Sequence, residues 1–412
     1  MQPPSGKFIA QLFFVPLLIV SVLVCFTLAI RWWAGSAWSP NDYLSKIDDP
    51  NPDVRWRGLE NLAQVLLRDD QLSSDPRFAL ELAERLRQAL DSNLKEEKAL
   101  VDRLGQSPQA ERDRQINALE PQRNRLLYLS ECLGDFMLPL GAPILSEMAV
   151  AQVGSDPKTV FERRRHALWA LVSLGKNLKR FQDLHENRRI KVLAALEDEA
   201  AGSTANRLEL AQKSLDYLSG SRMGSLELLG VDRAITRCAE DDNPFLREIS
   251  ALALSFWQGT PAEDQKMNAV LARLDRDDGH GEEILSRYRD EEKQANAPVT
   301  KTPGLTVSFN ATVALARRGS DKVRPGVLKK MLDQSYLMNN LLIRSRDGKE
   351  SSDVSLVAKT MEAALQAVAE LHRRRPDRDL SELYPSLDEA AHSSNTALRV
   401  EAERTMHALE RK

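Results

Sequence analysis

From residue 49 to the carboxyl end, apolar residues recur at intervals of three and four, and Pro, Gly, Asp and Asn interrupt them at irregular distances. That period predicts a succession of amphipathic helices. Several of them can be laid over one another. NPDVRWRGLENL places Val54, Arg55, Gly58 and Leu62; NPFLREISALAL places Leu246, Arg247, Ser250, Ala253 and Leu254. NTALRVEAERTM repeats the layout with Leu398, Arg399, Ala402, Thr405 and Met406, and ERRRHALWAL with Arg164, Ala167, Ala170 and Leu171. GLTVSFNATVAL carries Val307, Ala311, Ala314 and Leu315 with Ser308 in the arginine place, and TMEAALQAV puts Met361 there. An Asn or Asp before the phrase accepts hydrogen bonds from the first free amides of a helix, and Pro52 and Pro244 then stand where a missing N–H costs nothing. Small residues in the next turn let a neighbouring helix come close. No such helix can hide its apolar stripe alone, so copies must stack.

Ahead of this series, Phe8 to Ile30 runs 23 residues without a charge. At 1.5 Å per residue, such a helix reaches across a hydrocarbon core of roughly 30 Å. Arg31, Trp32, Trp33 and Trp38 follow it, residue types that prefer the headgroup level. A cleaved signal peptide is the rival, but its apolar core is shorter and ends closer to small residues. The pattern therefore predicts a single-pass membrane anchor, with the side of the membrane that holds the body left open.

The balance of residue types agrees with helices. Only 6% of the 412 residues are aromatic, and Gly and Pro number 19 each. A net charge of −3, from 57 basic and 60 acidic residues that are interspersed, speaks against nucleic acid as a partner. Cys25, Cys132 and Cys238 are odd in number and far apart, which argues against a disulfide framework and leaves a Cys132–Cys238 bridge open.

The repeated phrase resembles the second helix and loop of HEAT repeats, of the short bacterial kind related to phycobilisome lyases. The resemblance implies an all-α protein, an α-solenoid of degenerate HEAT-like helical hairpins preceded by the transmembrane helix, that binds protein partners on an extended surface. It also implies that Arg55, Arg164, Arg247 and Arg399 form a structural ladder between repeats, interrupted at Ser308 and Met361. A bilin-lyase-type enzyme, or a subunit of one, is the alternative that the same resemblance carries.

The repeats are uneven, with 109 residues between Arg55 and Arg164 but 38 between Met361 and Arg399. Residues 130–150 and 208–220 read as further degenerate units. Residues 91–125 are strongly charged and read as a solvated helical extension broken near Gly105 and Pro108. The predicted organisation is a tail (1–7), the transmembrane helix (8–30), a juxtamembrane linker (31–48), a HEAT-like solenoid (49–289), a linker or long loop (290–304) and C-terminal HEAT-like repeats (305–412). Residues 345–353 read as a second mobile loop.

No spacing for catalysis, a cofactor or a metal emerges. The six histidines form no H-E-x-x-H and no zinc pattern with cysteine. DRDDGHGEE, 275–283, fails as an EF-hand loop because His280 occupies the glycine place and Ser286 the final acidic place. The expectation is a non-catalytic membrane scaffold without cofactor, contacting the bilayer through residues 8–30 and protein partners through its body.

Overall fold

The helix starts are written into the sequence as caps. In the computed structural model, which describes residues 20–22, 24–26, 39–104, 109–202, 204–219, 224–281, 297–345 and 348–410, Asn243 Oδ1 accepts from the Phe245 amide at 3.0 Å with Pro244 as first helical residue. Asp156 does the same for Thr159 ahead of Pro157, at 2.9 Å. Thr260 and Glu263 form a reciprocal capping box ahead of Pro261. Each cap satisfies an amide that a helix start leaves open.

Residues 1–58 and 59–412 form two compact units. In the first, α1 (Pro40–Ile47) starts at a Ser39–Asp42 capping box, and α2 (Pro52–Leu66) follows after a short turn, continuing past the division. A Cβ on Gly58 would lie 2.9 Å from Lys46 Cβ, so the glycine permits α1 to approach α2.

The second unit continues with α3 (Pro76–Leu104), α4 (Glu120–Gly134), α5 (Ala142–Val150), α6 (Pro157–Gln182), α7 (Glu186–Ala201), α8 (Ala205–Leu218), α9 (Val231–Ala239), α10 (Pro244–Leu254), α11 (Pro261–Leu274), α12 (Leu305–Arg317), α13 (Pro325–Leu332), α14 (Val354–Arg374), α15 (Tyr384–Ala391) and α16 (Thr396–Glu410). Hairpins pair α3 with α4, α5 with α6, α9 with α10, α11 with α12, α13 with α14 and α15 with α16. The second members form one unbroken row: α4 packs on α6, α6 on α10, α10 on α12, α12 on α14 and α14 on α16. Besides α2, the recurring phrase belongs to α6, α10, α12, α14 and α16, which are successive members of that row. The small residues sit between them, since Ser250, Ala311 and Ala402 are fully buried. Leu168, Leu171, Leu254, Leu315 and Leu365 are sealed from water beside them, each contributing on the order of 2 kcal/mol. The unit is an α-solenoid of helical hairpins.

Three features differ from the sequence expectation. The helix that covers 208–218 does not join the row: α8 packs with α7 and on α3, so the two helices are an inserted hairpin. Within 91–125, Asn93, Glu97 and Leu100 are buried, so the charged end of α3 turns one face inward. A small antiparallel sheet also interrupts the helices. Strand β1 (Ala297–Thr300) pairs with β2 (Leu341–Arg344), which pairs with β3 (Glu350–Ser352). The short apolar run of β2 is too brief for a helix, and Gly348, at φ 78°, turns it back into β3.

The single-pass membrane assignment is corrected. Among the described residues no helix is long and apolar enough to cross a membrane. The two longest, α3 and α6, carry charged residues throughout and bury only one face in protein. Of residues 8–30 only 20–22 and 24–26 are described, as exposed helix. The rest of that segment, with Arg31, Trp32, Trp33 and Trp38, lies outside the described residues.

Candidate functional site

The arginine place of the phrase puts Arg55, Arg247 and Arg399 one turn inside their helices and Arg164 about two turns inside its own. Arg247 is 1% exposed and makes the densest set of contacts. Its Nη1 donates to the Asp241 and Asp242 carbonyls of the loop before its own helix, at 2.9 and 3.0 Å. Nε and Nη2 hold both oxygens of Asp277 after α11, at 2.6 and 2.9 Å, and Nη2 also reaches the His280 carbonyl. Arg164 behaves similarly: Nε donates to the Ala149 carbonyl at the end of α5, and Nη2 pairs with Asp241 at 2.7 Å. Arg164 and Arg247 thus meet on opposite sides of the 240–243 loop.

Arg55 and Arg399 reach less far. Arg55 donates to the Asp49 and Pro50 carbonyls, and Arg399 to the Ser393 carbonyl, in each case the turn just before the same helix. In the serine place, Ser308 donates to the Asp275 carbonyl at 2.7 Å. Arg324, outside the phrase, pairs with the Asp275 carboxylate and its carbonyl, while Thr312 donates to the same carboxylate. Met361, in the arginine place of α14, is buried and apolar.

Asp277, Asp278 and His280 lie close enough together to suggest a cation site. The bidentate grip of Arg247 on Asp277 already neutralises the one half-buried member, so the cluster serves the arginine. His166 is held down to about 4 by burial and by the charge of Arg165, so it is neutral at pH 7. His185 caps α7, and His392 bonds its own helix. Cys132 and Cys238 are buried free thiols, which closes the question of a bridge between them.

A second polar centre lies where α3, α4 and α6 meet the 151–156 loop, and the repeated phrase gives no sign of it. Glu97, fully buried, accepts from Arg123 Nε at 2.7 Å and from the Ser155 amide at 2.8 Å. Arg123 also reaches the Ser155 hydroxyl at 2.8 Å. Arg163 donates to Asn93 Oδ1 at 3.3 Å and to the Val153 carbonyl. A cavity of about 510 Å³ opens beside this network. The available signal was one of register: Asn93 and Glu97 continue the Leu82, Leu86, Leu90 stripe of α3, and Arg163 falls on the stripe of Ala167 and Ala170 in α6. Two smaller cavities, near 400 and 390 Å³, lie beside Asn243 and beside Ser146.

No protein-family profile matches the chain, and no curated protein matches it. Among solved structures it is similar to a designed armadillo repeat protein, at 11% identity and a TM-score of 0.32, with 90% of this chain and 99% of that one covered. A second engineered protein matches at 12% identity and a TM-score of 0.27, over 90% of this chain and 98% of its own. Scores of that size do not define a shared fold, and the stacking of hairpins rests on the packing described above.

Proposed function

We propose that the chain is a non-catalytic helical-repeat scaffold whose hairpins, HEAT-like in kind, present a long surface to other proteins. The observation that carries this reading is the single row made by α4, α6, α10, α12, α14 and α16. A stack of that sort grows by addition and leaves each successive turn a place on one continuous face. In this reading Arg164 and Arg247 are ladder residues that fasten neighbouring repeats, and Arg55 and Arg399 brace the loops of their own helices.

Large apolar side chains exposed on the body are the natural contact points, among them Trp169 on α6, Ile190 on α7, Leu208 on α8 and Val400 on α16. Photo-crosslinking residues placed singly at these four positions, in cells, test the proposal. The same partner protein should be trapped from positions that share a face. Absence of any protein adduct from all four variants, at normal abundance, would refute it.

A further inference from the structure

Four arginines are buried among the described residues: Arg123, Arg163, Arg164 and Arg247. Three have a carboxylate of their own, Glu97, Asp241 and Asp277, at 2.6 to 2.7 Å. Arg163, 2% exposed, has none among the described residues; its hydrogen bonds go to Asn93 Oδ1 and to the Ala151 and Val153 carbonyls. Its Nε and the neighbouring Asn93 Nδ2 are buried without a hydrogen-bond partner among the described residues. A buried cation without a counter-charge is costly, and orphaned donors add to that cost. Glu97 attracts Arg163 but makes no ion pair with it, because one of its oxygens takes Arg123 and the other the Ser155 amide. Burial, with Arg123 and Arg164 nearby, outweighs the attraction of Glu97 and lowers Arg163 to about 10, which still leaves it charged at neutral pH.

Asn93 and Arg163 both line the cavity of about 510 Å³, whose apolar wall includes Ile116, Leu126 and Leu127. Of the three acidic residues on its lining, Glu162 pairs with Arg165 at 2.7 Å, Asp156 accepts from Thr159 and Ser155, and Glu120 lies 4.0 Å from Arg123. Those carboxylates disfavour a doubly charged phosphate and leave room for a single negative charge. We propose that this cavity is a carboxylate-binding site, in which Arg163 and Asn93 receive one carboxylate group carried either by an acidic side chain of a bound protein or by a small free carboxylic acid. Two donors match the two oxygens of one carboxylate, and the apolar wall suits the short methylene stem behind it.

The test uses the full chain and two probes. Sodium glutarate is titrated calorimetrically against sodium chloride of equal ionic strength, and a labelled pool of glutamate-containing peptides is compared by anisotropy with its glutamine counterpart. Saturable binding above control in either arm is the expected result, the glutarate arm marking a free acid and the peptide arm a protein side chain. Asn93→Asp keeps the oxygen that Arg163 uses and adds a carboxylate beside it. That variant should bind at least about tenfold more weakly while melting at a higher temperature, which separates lost binding from lost folding. No saturable binding in both arms, or unchanged binding in Asn93→Asp, would overturn the site. Only the peptide arm rests on the scaffold reading, and partners still trapped by crosslinking would show that reading standing without the site.

Discussion

Trp257 donates its indole N–H to the Leu171 carbonyl at 2.8 Å, joining the segment that follows α10 to the middle of α6. The contact depends on Gly175, because a Cβ there would lie 2.7 Å from Trp257 Nε1 and 2.9 Å from its Cδ1. Gly175→Ala therefore sets an intrinsic gain in helix propensity, about 1 kcal/mol, against a clash with a fully buried ring. The clash wins, and a net loss of about 1 to 3 kcal/mol is expected in urea unfolding. Trp257→Phe removes the donor and reduces the ring, so the double variant should lose less than the two single losses combined. Additive losses would show that the glycine and the indole do not act on one another.

The ladder reading makes a graded prediction. Arg247→Ala leaves the Asp277 carboxylate buried and unpaired and should cost about 3 to 5 kcal/mol. Arg399→Ala removes a bond to its own turn and should cost no more than about 1 kcal/mol. Hydrogen exchange adds a readout that mere destabilisation does not give. Arg247→Ala should lose protection in both the 240–243 and 275–281 loops, whereas Arg399→Ala should change only its own turn. Equal effects of the two variants would remove the distinction between fastening and bracing.

Both thiols of the second unit are shielded. Cys132 Sγ lies 3.4 Å from the Leu59 carbonyl, Cys238 Sγ lies 3.3 Å from the Ala149 carbonyl, and burial pushes both thiols up. Protonated, buried thiols are poor nucleophiles. Cys132 and Cys238 should therefore react with a water-soluble disulfide reagent only as fast as the unit opens, and without reductant the chain should carry no bridge. Rapid labelling of either thiol in native buffer would contradict their burial.

The row of helices was legible because its signal is local and repeats: a cap, an arginine, a small residue and spaced apolar positions. What the sequence did not disclose depends on which helix faces which. Asn93 and Glu97 on α3, Arg123 on α4 and Arg163 on α6 look like surface polar groups until the three helices are brought together. The hairpin of α7 and α8 carries the same apolar period as the row but packs on α3, a choice that periodicity alone does not encode. The sheet was missed because its strands are only three or four residues long, too short for an alternating pattern to register. The apolar run 8–30 misled in a different way, since length and hydropathy describe a segment that could cross a bilayer without showing that it does.

Asp135, the residue that closes α4, is buried. Burial, with Glu131 adding repulsion, raises it to about 7 despite the opposing pull of Arg180. Its carboxyl is therefore protonated in the folded chain at pH values where the unfolded chain, near its ordinary value of 3.8, has already released the proton. With more protons bound folded than unfolded, stability falls as pH rises from about 4 to about 7 and levels off above that. Below about pH 4 both states are protonated and the cost disappears. Asp135→Asn removes the titration while keeping the shape, so it should be more stable than the parent at pH 8, by on the order of 2 to 4 kcal/mol, and equal to it near pH 4. Urea unfolding of both proteins across that range checks the sign, and a difference that does not change with pH would show that Asp135 ionises as it does in water.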